Sequence, residues 1–337
     1  MEVNHAEQRS QTGLARGIKR GLNWVLGIPE MGVVIPLIIF ILVFTALNPV
    51  MLSRVNMTVI LRTIAFTGVV AVGMTFLIIA GEIDLSVGSV AGLGAIIFGW
   101  MMKNAGWSIP AAVVAGLLVG ALCGLINGLL TVKVGLSSFI ATLSMLFVAR
   151  GVNYVITSAY PIYPLPPQIG QFGIQTPLGA SWAFWLFVAL VIIGDVVLRQ
   201  TIFGGMVKAT GGNKLAARVA GIRTDRVKIA CFILTAMLAA VGGMLVVARI
   251  KTAEPQIGVG WELDVIASVV MGGVSFFGGV GTVIGTFFGC LLLQVVRSGL
   301  VVVKVSAHWQ NAAVGMLLIA AVVADKLRRQ ARMRGLQ

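Results

Sequence analysis

Long apolar runs separated by short polar breaks dominate this chain. Runs at about 31–48, 64–81, 88–102, 109–131, 136–157, 181–198, 229–250, 264–277, 282–303 and 308–324 are each long enough, or nearly so, to cross a membrane. A hydrocarbon core about 30 Å thick takes roughly 20 apolar residues in a helix. The runs are continuous rather than alternating, which excludes a transmembrane β-barrel. The pattern predicts an all-α, polytopic helical membrane protein with about ten transmembrane helices. Two neighbouring pairs, 64–102 and 264–303, are each interrupted by a Gly-rich polar stretch, so some of these helices are expected to be broken. The organisation expected is an N-terminal tail (1–30), a transmembrane domain (31–324) with an internal loop at 199–228, and a basic tail (325–337). No small-residue cleavage site follows the first run, so it reads as a retained helix rather than a signal peptide.

Composition narrows the class. The chain is 58% hydrophobic and 11% charged, with a mean hydropathy of +1.01. Soluble domains carry about 25% charged residues, so a soluble enzyme, a disulfide scaffold and a disordered chain are excluded. The net charge of +14 is unevenly spread. Seventeen of the 25 basic residues fall in the N-terminal tail, the C-terminal tail, the 199–228 segment and the turn at Lys133. Ten spans place all four on one side, and the positive-inside rule makes that side cytoplasmic, with both termini inside. The basic excess is therefore a topology signal and not a nucleic-acid patch. On the other side, 157–180 holds five prolines and is expected to be a stiff irregular loop.

Polar and small residues inside the runs carry the remaining information. Gly116, Gly120, Gly124 and Gly128 recur every four residues, as do Gly281, Gly285 and Gly289. That spacing lays each set on one helix face, where a neighbour can cross closely. Asn127, Ser138, Thr142 and Asn153 are polar positions in apolar runs, either hydrogen-bonding between helices or lining a pathway for a hydroxyl-rich substrate. Glu82 and Asp84 interrupt an apolar stretch, with Ser86 expected to cap the following helix. Glu254, Glu262 and Asp264 follow Arg249 and Lys251, so local ion pairing is expected. Arg150 lies inside a span and needs a partner. Residues 213–220 read as a short amphipathic helix stopped at Gly221, suited to docking into a partner groove. Cys123, Cys231 and Cys290 sit in apolar runs as packing residues. The two histidines give no metal-ligand spacing, and no G-x-x-x-x-G-K-[ST] phosphate loop occurs.

Several of these stretches together form a familiar pattern. Gly-x-Ile-Asp-Leu-Ser-Val-Gly at 81–88 holds Asp84, Ser86 and Gly88, and Gly-Gly-Asn opens the stretch 211–221. Phe139-Ile140-Ala141-Thr142-Leu143 is followed by Arg150-Gly151. Trp261-Glu262-Leu263-Asp264 leads through Met271-Gly272-Gly273 to Gly278-Gly279 and Gly285. Over roughly 35–325 the chain resembles the membrane-spanning permease subunits of ATP-binding-cassette importers for monosaccharides, the ribose/arabinose/galactose type. Glu82 departs from the pattern, which more often has glycine there. The resemblance implies a ten-helix permease in a bacterial cytoplasmic (inner) membrane, paired with a second copy that is identical or a close paralogue. Two ATP-binding subunits carrying ATP-Mg would dock on its cytoplasmic side, and an external binding protein would deliver the sugar. The stretch 211–225 would couple to the ATPase through Gly211, Gly212, Asn213, Ala216, Ala217, Gly221 and Asp225. This chain would hold no cofactor and perform no chemistry. The alternative class is an ion-coupled secondary sugar transporter. An intramembrane enzyme would need a nucleophile–base pair or a metal cluster, and neither is present at helical spacing.

Overall fold

The computed structural model describes residues 30–171 and 179–334. The N-terminal tail assigned to 1–30 therefore lies outside the described residues, apart from Glu30. The described chain forms α1 (Met31–Leu47), α2 (Arg54–Ile79), α3 (Val87–Lys103), α4 (Ile109–Leu129), α5 (Ser138–Thr157) and α6 (Trp182–Gln200). A connection of α7 (Ile202–Gly212) and α8 (Lys214–Val219) follows. The rest is α9 (Thr224–Ile250), α10 (Trp261–Met271), α11 (Val283–Val302) and α12 (Ala307–Arg334). Six helices are long and apolar enough to cross a membrane: α2, α4 with its π-helical extension to Val134, α5, α6, α9 and α11. Met31–Leu47, Val87–Lys103 and Ala312–Val323 are shorter apolar helices.

α2 and α9 form the centre. The second half of α2 is buried on every side, which is why it carries no polar face. Around it the bundle turns large apolar side chains outward, among them Leu42 (63% exposed), Leu118 (64%) and Phe147 (68%). Apolar surface on this scale is stable against lipid or a partner subunit.

The first glycine ladder sets a close crossing. Gly116, Gly120, Gly124 and Gly128 all face α9, and a Cβ at Gly124 would lie 2.5 Å from the Phe232 carbonyl oxygen. Gly124→Leu is expected to overpack this crossing and cost about 1–3 kcal/mol, read as a lower unfolding midpoint in detergent. Gly151→Ala, at a position with open space around it, should leave the midpoint unchanged. A Gly124→Leu protein as stable as wild type would mean that the ladder faces lipid.

The second ladder needs correcting. Gly281 lies before α11 with an extended-side φ of +157°, so only Gly285 and Gly289 belong to the helix. Those two pack against α10: a Cβ on them would lie 2.2 Å from the Gly272 oxygen and 2.0 Å from the Ser268 oxygen. Two helix ends also differ from the hydropathy pattern. α2 starts at Arg54 rather than near 64, because the Ser53 hydroxyl accepts from the Asn56 amide at 3.2 Å and begins the helix among polar residues. α12 continues through Arg334, so the basic tail from 325 is helical as far as it is described.

Candidate functional site: two helix breaks and the loop that touches them

Between α2 and α3 the chain leaves helix at Gly81 (φ +83°) and returns at Val87. The segment is held by buried polar groups. Asp84 is fully buried, and its Oδ1 accepts from the Ser86 amide (2.7 Å) and the Ser86 hydroxyl (2.6 Å). Asn127 Nδ2 donates to Asp84 Oδ2 (3.2 Å) and to Ser86 Oγ (3.0 Å). Thr142 Oγ1 accepts from the Leu85 amide at 3.0 Å and donates to the Ser138 carbonyl at 2.7 Å. Asn153 Nδ2 reaches the Ser89 carbonyl at 3.4 Å. Three of the four polar residues singled out on α4 and α5, Asn127, Thr142 and Asn153, thus converge on 84–89, while Ser138 only accepts from Thr142 through its carbonyl, and all four are buried. Ser86 does not cap α3 through its side chain. Its hydroxyl proton goes to the Asp84 carboxylate and its oxygen accepts from Asn127 Nδ2, so both its hydrogen-bonding functions are directed away from the α3 amides.

The second break, 251–260, descends beside the first. A Cβ on Gly88 would lie 2.2 Å from the Gly258 oxygen and 2.5 Å from Glu262 Oε2. Only two glycine backbones can approach so closely. Arg150 finds its partners here: Nη1 donates to the carbonyls of Pro255 (2.7 Å) and Ile257 (3.1 Å), tying α5 to this break. Both breaks carry the spacing Glu-x-Asp, at 82–84 and 262–264, yet the carboxylates are used differently. Asp264 does not pair locally with Arg249 or Lys251. It accepts from Arg297 Nη2 on α11 at 2.6 Å. Glu82 pairs with Lys228, and both side chains are almost wholly buried. The motif residues Asp84, Ser86 and Gly88 are therefore gathered with Glu262 at the meeting of the two breaks, while Asp264 is held apart by α11.

The loop 202–223 closes against the same region. Thr201 caps α7 through Oγ1, which accepts from the Gly204 amide at 3.2 Å. Asn213 caps α8, its Oδ1 accepting from Ala216 N at 3.0 Å. At the far end the Gly221 amide donates to Arg218 O (2.9 Å) and the Ile222 amide to Ala217 O (3.0 Å), with Gly221 at φ +83°. That is a Schellman stop, which requires a left-handed residue where glycine stands. Arg218 then grips the start of α9 through Asp225 (2.6 Å) and Thr224 (3.0 Å). Gly211 and Gly212 end α7 rather than lying free in a loop, and a Cβ on Gly211 would lie 1.8 Å from the Ile79 carbonyl oxygen. The Gly279 amide donates to that same oxygen at 2.8 Å. The loop, the first break and the 272–282 connection therefore meet at the last turn of α2. Ala216 is exposed, Ala217 is buried (4% exposed), and the apolar pair presented outward is Leu215 (74%) and Val219 (84%).

Sequence reasoning overlooked Asp195. Its Oδ1 accepts from the amides of Val283 (3.2 Å) and Ile284 (3.4 Å), capping α11, and Oδ2 pairs with Arg199 at 2.7 Å. A single acid inside the 181–198 run was the available signal. Lys228 and Arg297, the partners of Glu82 and Asp264, were equally visible as lone cations at span ends.

Comparison with known proteins gives the family. Residues 56–322 match the family described as branched-chain amino acid transport system / permease component. The chain is 34% identical over 307 residues to the ribose import permease of Escherichia coli (strain K12), covering 89% of this chain and 94% of that one. It is 36% identical over 299 residues to the ribose import permease of Bacillus subtilis (strain 168), covering 88% and 92%. It is 35% identical over 286 residues to the autoinducer 2 import system permease of Escherichia coli (strain K12 / DH10B), covering 85% and 83%. No solved structure matches. With more than half of its length matched, the chain belongs to this branched-chain amino acid transport system permease family, and it is a non-catalytic, multi-pass translocation subunit of an ATP-binding-cassette importer.

Proposed function

We propose that this permease carries a small sugar inward across a bacterial cytoplasmic membrane, as half of a pathway completed by a second permease copy. Two ATP-binding subunits supply the energy from ATP-Mg on the inner side, and a soluble binding protein delivers the sugar outside. The relatives, permeases of ribose and autoinducer 2 import systems, favour a small hydroxylated substrate. In this reading the chain crosses ten times: the six long apolar helices, the three shorter ones and α10. α10 has 11 residues, about 16 Å at 1.5 Å per residue, so it spans only with the extended 251–260 segment above it. Both termini and 202–223 are then cytoplasmic. Asn127, Ser138, Thr142 and Asn153 are the wall against which the first break moves, exposing their amides and hydroxyls to the pathway as it opens.

The observation that carries the proposal is the junction at Ile79. A short, doubly capped helix presents Leu215 and Val219 outward, and its neighbour seats Gly211 on the end of α2 beside both connections. An apolar pair at i, i+4 on a polar loop fits a partner groove. Force applied there reaches the first break and the 272–282 connection through backbone contacts without a flexible side chain between. Reporter fusions test the orientation: a fusion in 157–171 should read external and one at Arg223 internal. The reverse pattern would overturn the topology on which the docking side depends.

A further inference from the structure

A cavity of about 390 Å³ opens among α2, α10, α11 and the start of α12. It contains none of the residues assigned above to the pathway or to coupling. Its size falls within the range of small-molecule sites, about 300–1,000 Å³. In the topology proposed above it lies toward the external face, because the first turns of α2, the end of α11 and the start of α12 border it.

The polar groups on its wall are unusual for a helical bundle. A threonine in an apolar helix normally returns its hydroxyl to the carbonyl four residues back, and Thr45, Thr75, Thr142, Thr157 and Thr235 do so here. Thr63 and Thr67, both half-buried and both lining the cavity, make no such bond among the described residues. Gln294, facing them from α11, likewise has no hydrogen-bond partner among the described residues. Arg297 holds Asp264 through Nη2, while its buried Nε has no partner. Of these groups Arg297 Nε is the one buried without a partner, and the others open onto the cavity, so a ligand whose hydroxyls meet them makes bonds that the bundle itself leaves unmade. The set offers two hydroxyls, one amide and one N–H donor, with no net charge once Asp264 and Arg297 neutralise each other. Phe66 and Trp261 add an aromatic surface. A neutral polyol of monosaccharide size satisfies that combination: its hydroxyls both donate and accept, and its C–H face packs on aromatic rings.

We propose that this cavity is a binding site for a neutral monosaccharide within each permease copy, loaded from the external side. It rests on the importer reading for its orientation and substrate class. Trp261 begins α10 and Gln294 lies on α11, so occupancy bears directly on the helix that follows the second break.

The test uses the full importer, with its ATPase and binding-protein partners, in intact cells. Thr63→Cys and Gln294→Cys variants, made in a Cys290→Ala background because Cys290 itself lines the cavity, are labelled with a membrane-impermeant thiol reagent, against that background, whose other two cysteines are buried. D-Ribose, L-arabinose and D-galactose at millimolar concentration serve as probes. At least one sugar should slow labelling at both positions. Gln294→Ala and Thr63→Val should raise the half-saturating sugar concentration for uptake about three- to tenfold, the loss of one hydrogen bond. Thr63→Ser should restore it, with the amount of inserted protein unchanged throughout. Uptake that proceeds normally in these variants, with no sugar protecting either cysteine, overturns the cavity while leaving the importer standing. Protection without any ATP-dependent uptake keeps the cavity and overturns the importer reading.

Discussion

Lys228→Ala is expected to be the most damaging single substitution outside the packed core. Lys228 and Glu82 form an ion pair with both side chains almost wholly buried. Removing one partner leaves an uncompensated charge, at a cost of about 3–5 kcal/mol. A large drop in the unfolding midpoint in detergent, or loss of inserted protein, is the expected readout. The paired replacement Glu82→Gln with Lys228→Met should recover most of that loss, since neither side then carries a charge. If Lys228→Ala is as stable as wild type, the pair is solvated and the first break is not held by it. The same pair gives Glu82 a role where the family pattern more often has glycine: it fastens the break to the first turn of the helix that follows the coupling loop.

The second large effect is expected in coupling rather than in stability. Gly221 closes α8 at φ +83° with open space around it, so a side chain there meets no clash, only backbone strain. Valine in that conformation costs about 1–3 kcal/mol, enough to populate another loop exit and misdirect α8. Sugar-stimulated ATP hydrolysis should fall about tenfold or more, with the permease still folded and inserted. Cysteine at Leu215 should crosslink to the ATPase, and cysteine at Ala217 should not, because Ala217 faces inward. Normal hydrolysis in Gly221→Val together with no crosslink from Leu215 would move the coupling contact away from 211–225.

Much of this architecture was legible in the sequence, for identifiable reasons. Continuous apolar runs, a four-residue glycine spacing and the Asn…Gly bracket around 213–221 are local signals, and each corresponds to a helix, a crossing or a capped turn. What was not legible depends on distance in the chain. Asp264 looked like a partner for Arg249 or Lys251 nearby, yet α11 brings Arg297 to it from 33 residues away. Ser86 looked like a cap until Asp84 folded back on it. Ala217 looked outward from its place in a polar loop, but α8 is one and a half turns long and its orientation is set by Arg218 gripping Asp225. The polar wall of the cavity was hidden differently. Thr63 and Thr67 share one face of α2 and Gln294 lies on α11, and only the packing of α2 against α11 reveals that they face one space.

The most direct test of the central claim is sugar uptake by proteoliposomes containing the purified permease, with and without the ATPase subunits and the binding protein. Uptake should require both partners and ATP, and should persist when proton and sodium gradients are collapsed. Uptake by this chain alone, driven by an ion gradient, would contradict the account and make it a secondary transporter.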